Sequence, residues 1–242
     1  MPLNEYRKKR DFKITSEPSG DKSAPKNQKS SLIYVVQKHR ATALHYDFRL
    51  EFRGTLLSWA VPKGPSLDPS VKRLAMQVED HPIDYASFEG VIPEGEYGGG
   101  TVMVWDKGTW TSESPDPAAA LEKGDLKFTL HGKKLNGSWV LVRTRGFGSS
   151  TKTSWLLIKH RDAFATDADI AQDDPRSAIS NRLLADIARE GGGDVEKAAT
   201  GDPVPANSTK RAAKPRVSAA KAKSAAKSAT TRKTKIRRKT ST

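Results

Sequence analysis

Residues 39–49, read HRATALHYDFR, hold two histidines, an aspartate and an arginine within eleven positions. From His45 onward the pattern alternates strictly. In a β-strand His45, Asp47 and Arg49 therefore point to one face, and Tyr46, Phe48 and Leu50 point to the other. Two imidazoles and a carboxylate suit a divalent metal ion, and a guanidinium one strand repeat further on suits a phosphate held beside it. The combination reads as a metal-assisted phosphoesterase. The competing reading, polar residues on a solvated sheet face, also alternates. The convergence of His39, His45, Asp47, Arg49 and Gln37 on one face favours a site.

Spacing constrains the elements that carry these residues. A continuous strand from His39 to His45 would hold them ~20 Å apart at ~3.3 Å per residue, too far to share one ion. The chain must turn between them. Residues 33–39, IYVVQKH, are β-rich, so the expected arrangement is a strand up to His39, a turn through 40–44 and a second strand over 45–52. Further alternating runs at 56–60, 74–78, 101–105, 125–130, 138–143 and 154–159 are separated by turn signals. They predict an all-β fold, a compact β-barrel or sandwich with one short helix at 117–123 near Asp116. His81 precedes Pro82, which biases it to an extended conformation at a strand end; the alternative is a buried structural histidine. Lys63, Lys72 and Arg73 supply cations expected near the barrel mouth. The glycine-rich stretch 93–100, PEGEYGGG, lacks the Gly-Lys-Ser/Thr ending of a phosphate loop and reads as a turn. His131 and His160 stand outside any cluster and receive no role.

Apolar residues make up 36 % of the 242, and all five tryptophans lie between positions 59 and 155. The folded part is therefore smaller than the chain. The expected divisions are a polar arm over 1–30, a barrel over 31–165, a linker over 166–194 that could form helices at 167–172 and 178–189, and a Lys/Ala-rich disordered tail over 195–242. In that tail 14 Lys and Arg face 2 Asp and Glu, so most of the net +14 charge lies there. Such a balance favours nucleic acid over an anionic membrane, since no apolar run approaches a membrane span. The absence of cysteine excludes disulfides and thiolate ligands, so any metal must be held by His and carboxylate. The N-terminus lacks the apolar segment of a signal peptide, which implies a cytoplasmic, nucleoid-associated location.

Several motifs together resemble the 3′-phosphoesterase domain of bacterial DNA ligase D. They are YRKKRDF at 6–12, TSEP at 15–18, VQKH at 36–39, LHYDFRLE at 44–51, SWAVPKGP at 58–65, KRLA at 72–75, VEDHP at 78–82, Tyr85, FEG at 88–90, IPEGEYG at 92–98 and WLLIK at 155–159. The resemblance runs from about residue 3 to 165 and does not reach the tail. It implies a compact β-barrel that acts on DNA 3′ ends in non-homologous end joining. A 3′-terminal ribonucleotide would be removed by a phosphodiesterase step and the remaining 3′-phosphate by a monoesterase step. The metal ligands would be His39, His45 and Asp47, with manganese the expected ion. Arg49 and His81 would hold the scissile phosphate, with Arg73, Lys63 and Gln37 nearby and Tyr85 supporting the pocket. Arg10, Asp11 and Glu17 match an N-terminal arm that reaches the site, which overrides the linker-like composition of residues 1–30. The chain shows no ligase or polymerase domain and looks like a free-standing, monomeric relative, whose partners would be a separate ATP-dependent DNA ligase and a Ku-like end-binding protein. The rival readings are a catalytically silent DNA-end binding module and a metal-dependent hydrolase of RNA or nucleotides.

Overall fold

The structure is a computed structural model that describes residues 3–21, 31–144 and 153–204; the basic tail beyond lies outside the described residues. After a short helix, α1 (Asn4–Lys8), the chain forms β1 (Ile33–Arg40), β2 (Leu44–Phe52), β3 (Thr55–Val61) and β4 (Lys72–His81) as one antiparallel meander. Arg53 and Gly54, both at positive φ (50° and 82°), close the β2–β3 hairpin, the signature of a type I′ turn whose twist matches the strands. A 3₁₀ turn (Ile83–Ser87) and the short β5 (Gly90–Ile92) then lead to β6 (Gly100–Ser112). After α2 (Pro117–Lys123), a second meander of β7 (Asp125–Gly132), β8 (Asn136–Arg143) and β9 (Ser154–Lys159) follows. Pairing of β4 with β9 and of β1 with β6 joins the two meanders into a closed eight-stranded antiparallel barrel, with β5 added along β6.

Alternation explains what fills the barrel. Tyr34 and Val36 of β1, Tyr46, Phe48 and Leu50 of β2, and Trp59 and Val61 of β3 point inward. All five tryptophans join that core. Each large apolar side chain so buried contributes on the order of 2–3 kcal/mol. Outward-facing Val35, Leu56, Val102 and Val104 do not meet solvent, because Tyr6 of α1, Tyr85, Ala86, Phe88 and Ile92 cover them as a second apolar cluster. The N-terminal arm is thus a packed element: Tyr6 is fully buried and its hydroxyl donates to the Pro18 carbonyl at 2.5 Å.

Helix α2 shows how local sequence sets an element. The Asp116 carboxylate accepts from the Ala118 and Ala119 amides at 2.9 and 3.1 Å, Pro117 occupies the first turn, and Gly124 ends the helix at φ 84°. Asp116→Ala should cost about 1 kcal/mol, seen as a melting temperature lower by about 2–4 °C. An unchanged transition would show that the cap adds nothing.

The segment 166–194, expected as a linker, is docked on the barrel. Helices α3 (Ile170–Asp173), α4 (Leu184–Glu190) and α5 (Val195–Ala199) follow β9, and Leu184, Ile187, Ala188 and Ala198 pack on Met103 with Leu44. Helix α5 falls within the span expected as tail. The helix expected over 178–189 starts only at Leu184. The Ile179 and Ser180 amides turn back onto the Ser177 hydroxyl and Asn181 takes a φ of 60°, which breaks the helical run. Among the described residues no helix is long and apolar enough to cross a membrane.

Candidate active site

The β1–β2 pairing sets His39 opposite His45 and Gln37 opposite Asp47, so all four share the outer wall of the barrel. Across β2 and β3, Asp47 faces Ala60 and Arg49 faces Ser58. The site therefore lies on the outer wall, and the expectation of a barrel mouth is corrected: the interior parity of these strands belongs to Tyr46, Phe48 and Trp59. Strict alternation in β4 would send His81 inward with Ala75. Instead the pairing slips between Ser58↔Val78 and Leu56↔His81, a bulge with one extra residue in β4, and His81 emerges on the wall beside outward-facing Leu56.

His39, His45, Asp47, Arg49 and His81 line a cleft of about 440 Å³ together with Arg10, Glu79, Tyr85 and Tyr97. His39, His45 and Asp47 offer one ligand atom each within 4.8 Å of one another, the one such cluster among the described residues. Asp47 Oδ2 lies 3.7 Å from both His39 Nδ1 and His45 Nε2. Ligands about 2.1 Å from a divalent ion stand roughly 3–3.5 Å apart, so the two Asp47–histidine distances need to close by only a few tenths of an ångström. His45 Nδ1 sits 3.1 Å from the Ala43 carbonyl. Donation there fixes the tautomer and leaves the Nε2 lone pair aimed at the cluster. His39 Nε2 is buried with no hydrogen-bond partner, an orphaned polar atom beside the same cluster. The donor set therefore fits a divalent ion.

Protonation agrees. Burial opposes ionisation of Asp47, but Arg49 at 3.3 Å and the two imidazoles hold its carboxyl well below the usual range. Burial also pushes the His45 pKa down, more than Asp47 raises it, so the ring is neutral and free to coordinate at neutral pH.

Beside the cluster stands a buried cationic half. Arg49 donates from Nε to Gln37 Oε1 and from Nη1 to Ser58 Oγ, both at 2.8 Å. Nη1 also lies 2.8 Å from His81 Nδ1, while Arg10 Nη2 lies 3.2 Å from His81 Nε2. The imidazole is thus clamped between two guanidiniums that can only donate. A neutral ring can accept from one of them; a protonated ring would meet both with N–H groups. Burial first, then Arg49 and Arg10, accordingly push the His81 pKa well below its ordinary value.

The arm is held here by carboxylates. Arg10 Nε pairs with Glu17 at 2.8 Å and its Nη1 with Glu79 at 3.3 Å, while the guanidinium lies 3.9 Å from the Tyr6 ring centre. Tyr85 donates to Glu17 at 2.8 Å, and burial followed by that carboxylate keeps it a phenol.

Of the residues expected at the site, Arg10, His39, His45, Asp47, Arg49, His81 and Tyr85 line the cleft. Glu17 and Gln37 lie behind it. Gln37 is fully buried, and its amide nitrogen donates to the Tyr85 and Phe88 carbonyls, so it orients Arg49 rather than facing the cleft. Three expected residues are not brought in. Asp11 is exposed and accepts from the Lys13 amide; Lys63 is exposed in the turn after β3, one residue past cleft-lining Pro62. Arg73 pairs with Leu157 and shares the inward parity of Ala75, on the side of β4 opposite the cleft. Sequence reasoning missed Ser58, Glu79 and Tyr97. Ser58 had a signal, because Arg49 opposite it needs an acceptor on the same face.

A closed antiparallel barrel that carries a His–His–Asp cluster on its outer wall, faced by two buried arginines, defines a barrel domain with a candidate divalent-metal site built to receive an anion. Residues 37–143 match the profile of the DNA Ligase D 3′-phosphoesterase domain, and the barrel belongs to that family. The chain is 55 % identical over 187 residues to the multifunctional non-homologous end joining protein LigD of Pseudomonas aeruginosa, which covers 76 % of this chain and 22 % of that protein. It is 44 % identical over 146 residues to the multifunctional non-homologous end joining DNA repair protein LigD of Mycobacterium tuberculosis, covering 60 % and 18 %. A LigD of Mycolicibacterium smegmatis is 39 % identical over 165 residues, covering 66 % and 21 %. The chain spans about a fifth of the length of these relatives.

Proposed function

We propose that this protein is a divalent-metal-dependent phosphoesterase that processes DNA 3′ ends for non-homologous end joining. In this reading it hydrolyses the phosphodiester of a 3′-terminal ribonucleotide so that the ribonucleoside leaves and a 3′-phosphate remains, then hydrolyses that 3′-phosphate to inorganic phosphate, and leaves a 3′-hydroxyl for a ligase. One observation carries the proposal: the His39–His45–Asp47 cluster opens into the same cleft as the buried guanidiniums of Arg49 and Arg10. Membership in the phosphoesterase family and the end-joining role in the relatives' names support it. The relatives' role also makes DNA ends, a Ku-like end-binding protein and an ATP-dependent ligase the proposed partners. Manganese is the proposed ion.

An ion held by His39, His45 and Asp47 would supply Lewis-acid polarisation of a phosphate oxygen and lower the pKa of a bound water. The remaining work falls to the chain. Arg49 and Arg10 are aimed before substrate arrives, so they can neutralise charge developing on the phosphate without reorganising. His81 begins the cycle neutral. We therefore assign it a hydrogen bond to the phosphate and not a standing proton for the leaving oxygen. Glu17 and Glu79 hold Arg10, and Gln37 and Ser58 hold Arg49.

The test is incubation of purified protein with a primer-template ending in one 3′-ribonucleotide, with manganese or with EDTA. The expected result is a shortened 3′-phosphate product that converts to 3′-hydroxyl in manganese and no product in EDTA. Intact substrate in manganese would reject the proposal in favour of a silent end-binding module.

A further inference from the structure

We infer that Tyr97 is the platform on which the base of the 3′-terminal nucleotide stacks, a positioning role that rests on the 3′-end reading above. The cleft lining is mixed: besides the metal cluster and the arginines it includes Ala43, Leu44, Pro62, Ile92 and Tyr97. A phosphate and its ion account for the charged residues only, which leaves the apolar ones available to the nucleoside attached to that phosphate.

Tyr97 is built for exposure. The other four tyrosines are buried, whereas Tyr97 is 44 % exposed while lining the cleft. Its loop, residues 93–100, is tied by backbone bonds from the Glu96 amide to the Pro93 carbonyl and from the Gly99 amide to the Glu96 carbonyl. Gly95 and Gly98 take φ values of 93° and 81°, which only glycine adopts readily. At Gly98 a Cβ would lie 3.7 Å from His39 Cε1, so the backbone beside Tyr97 runs against the metal cluster. Lys9 Nζ lies 4.7 Å from the ring centre and the Arg10 guanidinium carbon 5.7 Å. These cations stiffen the ring and enrich its surroundings in positive charge suited to a nucleic-acid strand. Stacking on an aromatic face is indifferent to base identity, as an end-processing enzyme requires. The rival role is a latch, in which Tyr97 serves only to anchor Lys9 and Arg10.

Two measurements on the full chain separate them. With 2-aminopurine as the 3′-terminal base, in EDTA, wild type, Tyr97→Phe and Tyr97→Trp should quench its fluorescence and Tyr97→Ala should not. In manganese, Tyr97→Ala should raise KM about tenfold for a 3′-ribonucleotide end relative to an end whose terminal ribose lacks a base, and the phenylalanine and tryptophan variants should restore the wild-type ratio. Wild-type-like quenching by Tyr97→Ala, or equal loss on both ends, would overturn the stacking role and leave the latch. Wild-type protein that neither quenches nor hydrolyses would instead reject the 3′-end reading, and stacking with it.

Discussion

Asp47→Ala should abolish divalent-ion binding and turnover together. The carboxylate is the one anion in the cluster, placed 3.7 Å from each imidazole donor and 3.3 Å from Arg49. Its loss removes a ligand and also leaves the buried Arg49 charge facing the two histidines, so the position that attracted a cation would repel one. Turnover should fall by at least about 10³-fold, roughly 4 kcal/mol of transition-state stabilisation. Breaking a buried charge pair from one side also costs about 3–5 kcal/mol of stability, so Asp47→Asn, which keeps the shape, is the companion variant. Manganese titration followed by electron paramagnetic resonance should show no tight binding in either. A wild-type rate in a folded variant would remove Asp47 from the site.

The same cluster sets a pH dependence. The depressed Asp47 pKa means that its contribution is present above the usual carboxylate value and is lost only as pH falls through the lowered one. Asp47 thus stays ionised across any working range. His45, with a pKa pushed below 6.5, is already neutral there and takes up a proton only in more acidic solution. Metal affinity should therefore hold steady from pH 8 to about 6.5 and weaken below, through protonation of His45.

Much of this was readable because the β1–β2 hairpin obeys period two without interruption: His39, His45, Asp47 and Arg49 keep one parity and the core residues the other. The bulge in β4 was not readable. One inserted residue separates His81 from Arg73, whose odd numbers would otherwise place both on one face, and it sends the first to the wall while the second keeps the inward parity of Ala75. A bulge shifts parity without needing a distinctive residue, so Arg73, expected near the phosphate from the family resemblance, falls on the other side of β4 from His81. The arm failed for a different reason. Its polar composition hides one buried tyrosine and two ion pairs that form only against β4, and the long-range partner Glu79 carries no local signal. Family resemblance supplied the arm's place, and the Arg10–Glu17 and Arg10–Glu79 pairs supply the physical reason.

Arg49→Lys should be nearly as damaging as loss of the metal, although it keeps the charge. Arg49 serves four partners from one planar group: Gln37 through Nε, Ser58 and His81 through Nη1, and Asp47 through Nη2. A lysine is a point charge with three rotating donors on a different reach, and it cannot reproduce that fork. Gln37 Oε1 and Ser58 Oγ would lose their donor in a fully buried setting, and His81 would lose the contact that helps aim it. Because His39, His45 and Asp47 remain, metal affinity should change little while turnover falls on the order of 10²–10³-fold. A rate within tenfold of wild type would show that charge alone suffices at this position. Arg49 and His81 share a hydrogen bond, so their contributions should not add. If His81 acts through the orientation that Arg49 gives it, His81→Ala in the Arg49→Lys background should lose little beyond the single substitution. Independent, multiplicative losses would instead assign the two groups separate contacts with the phosphate.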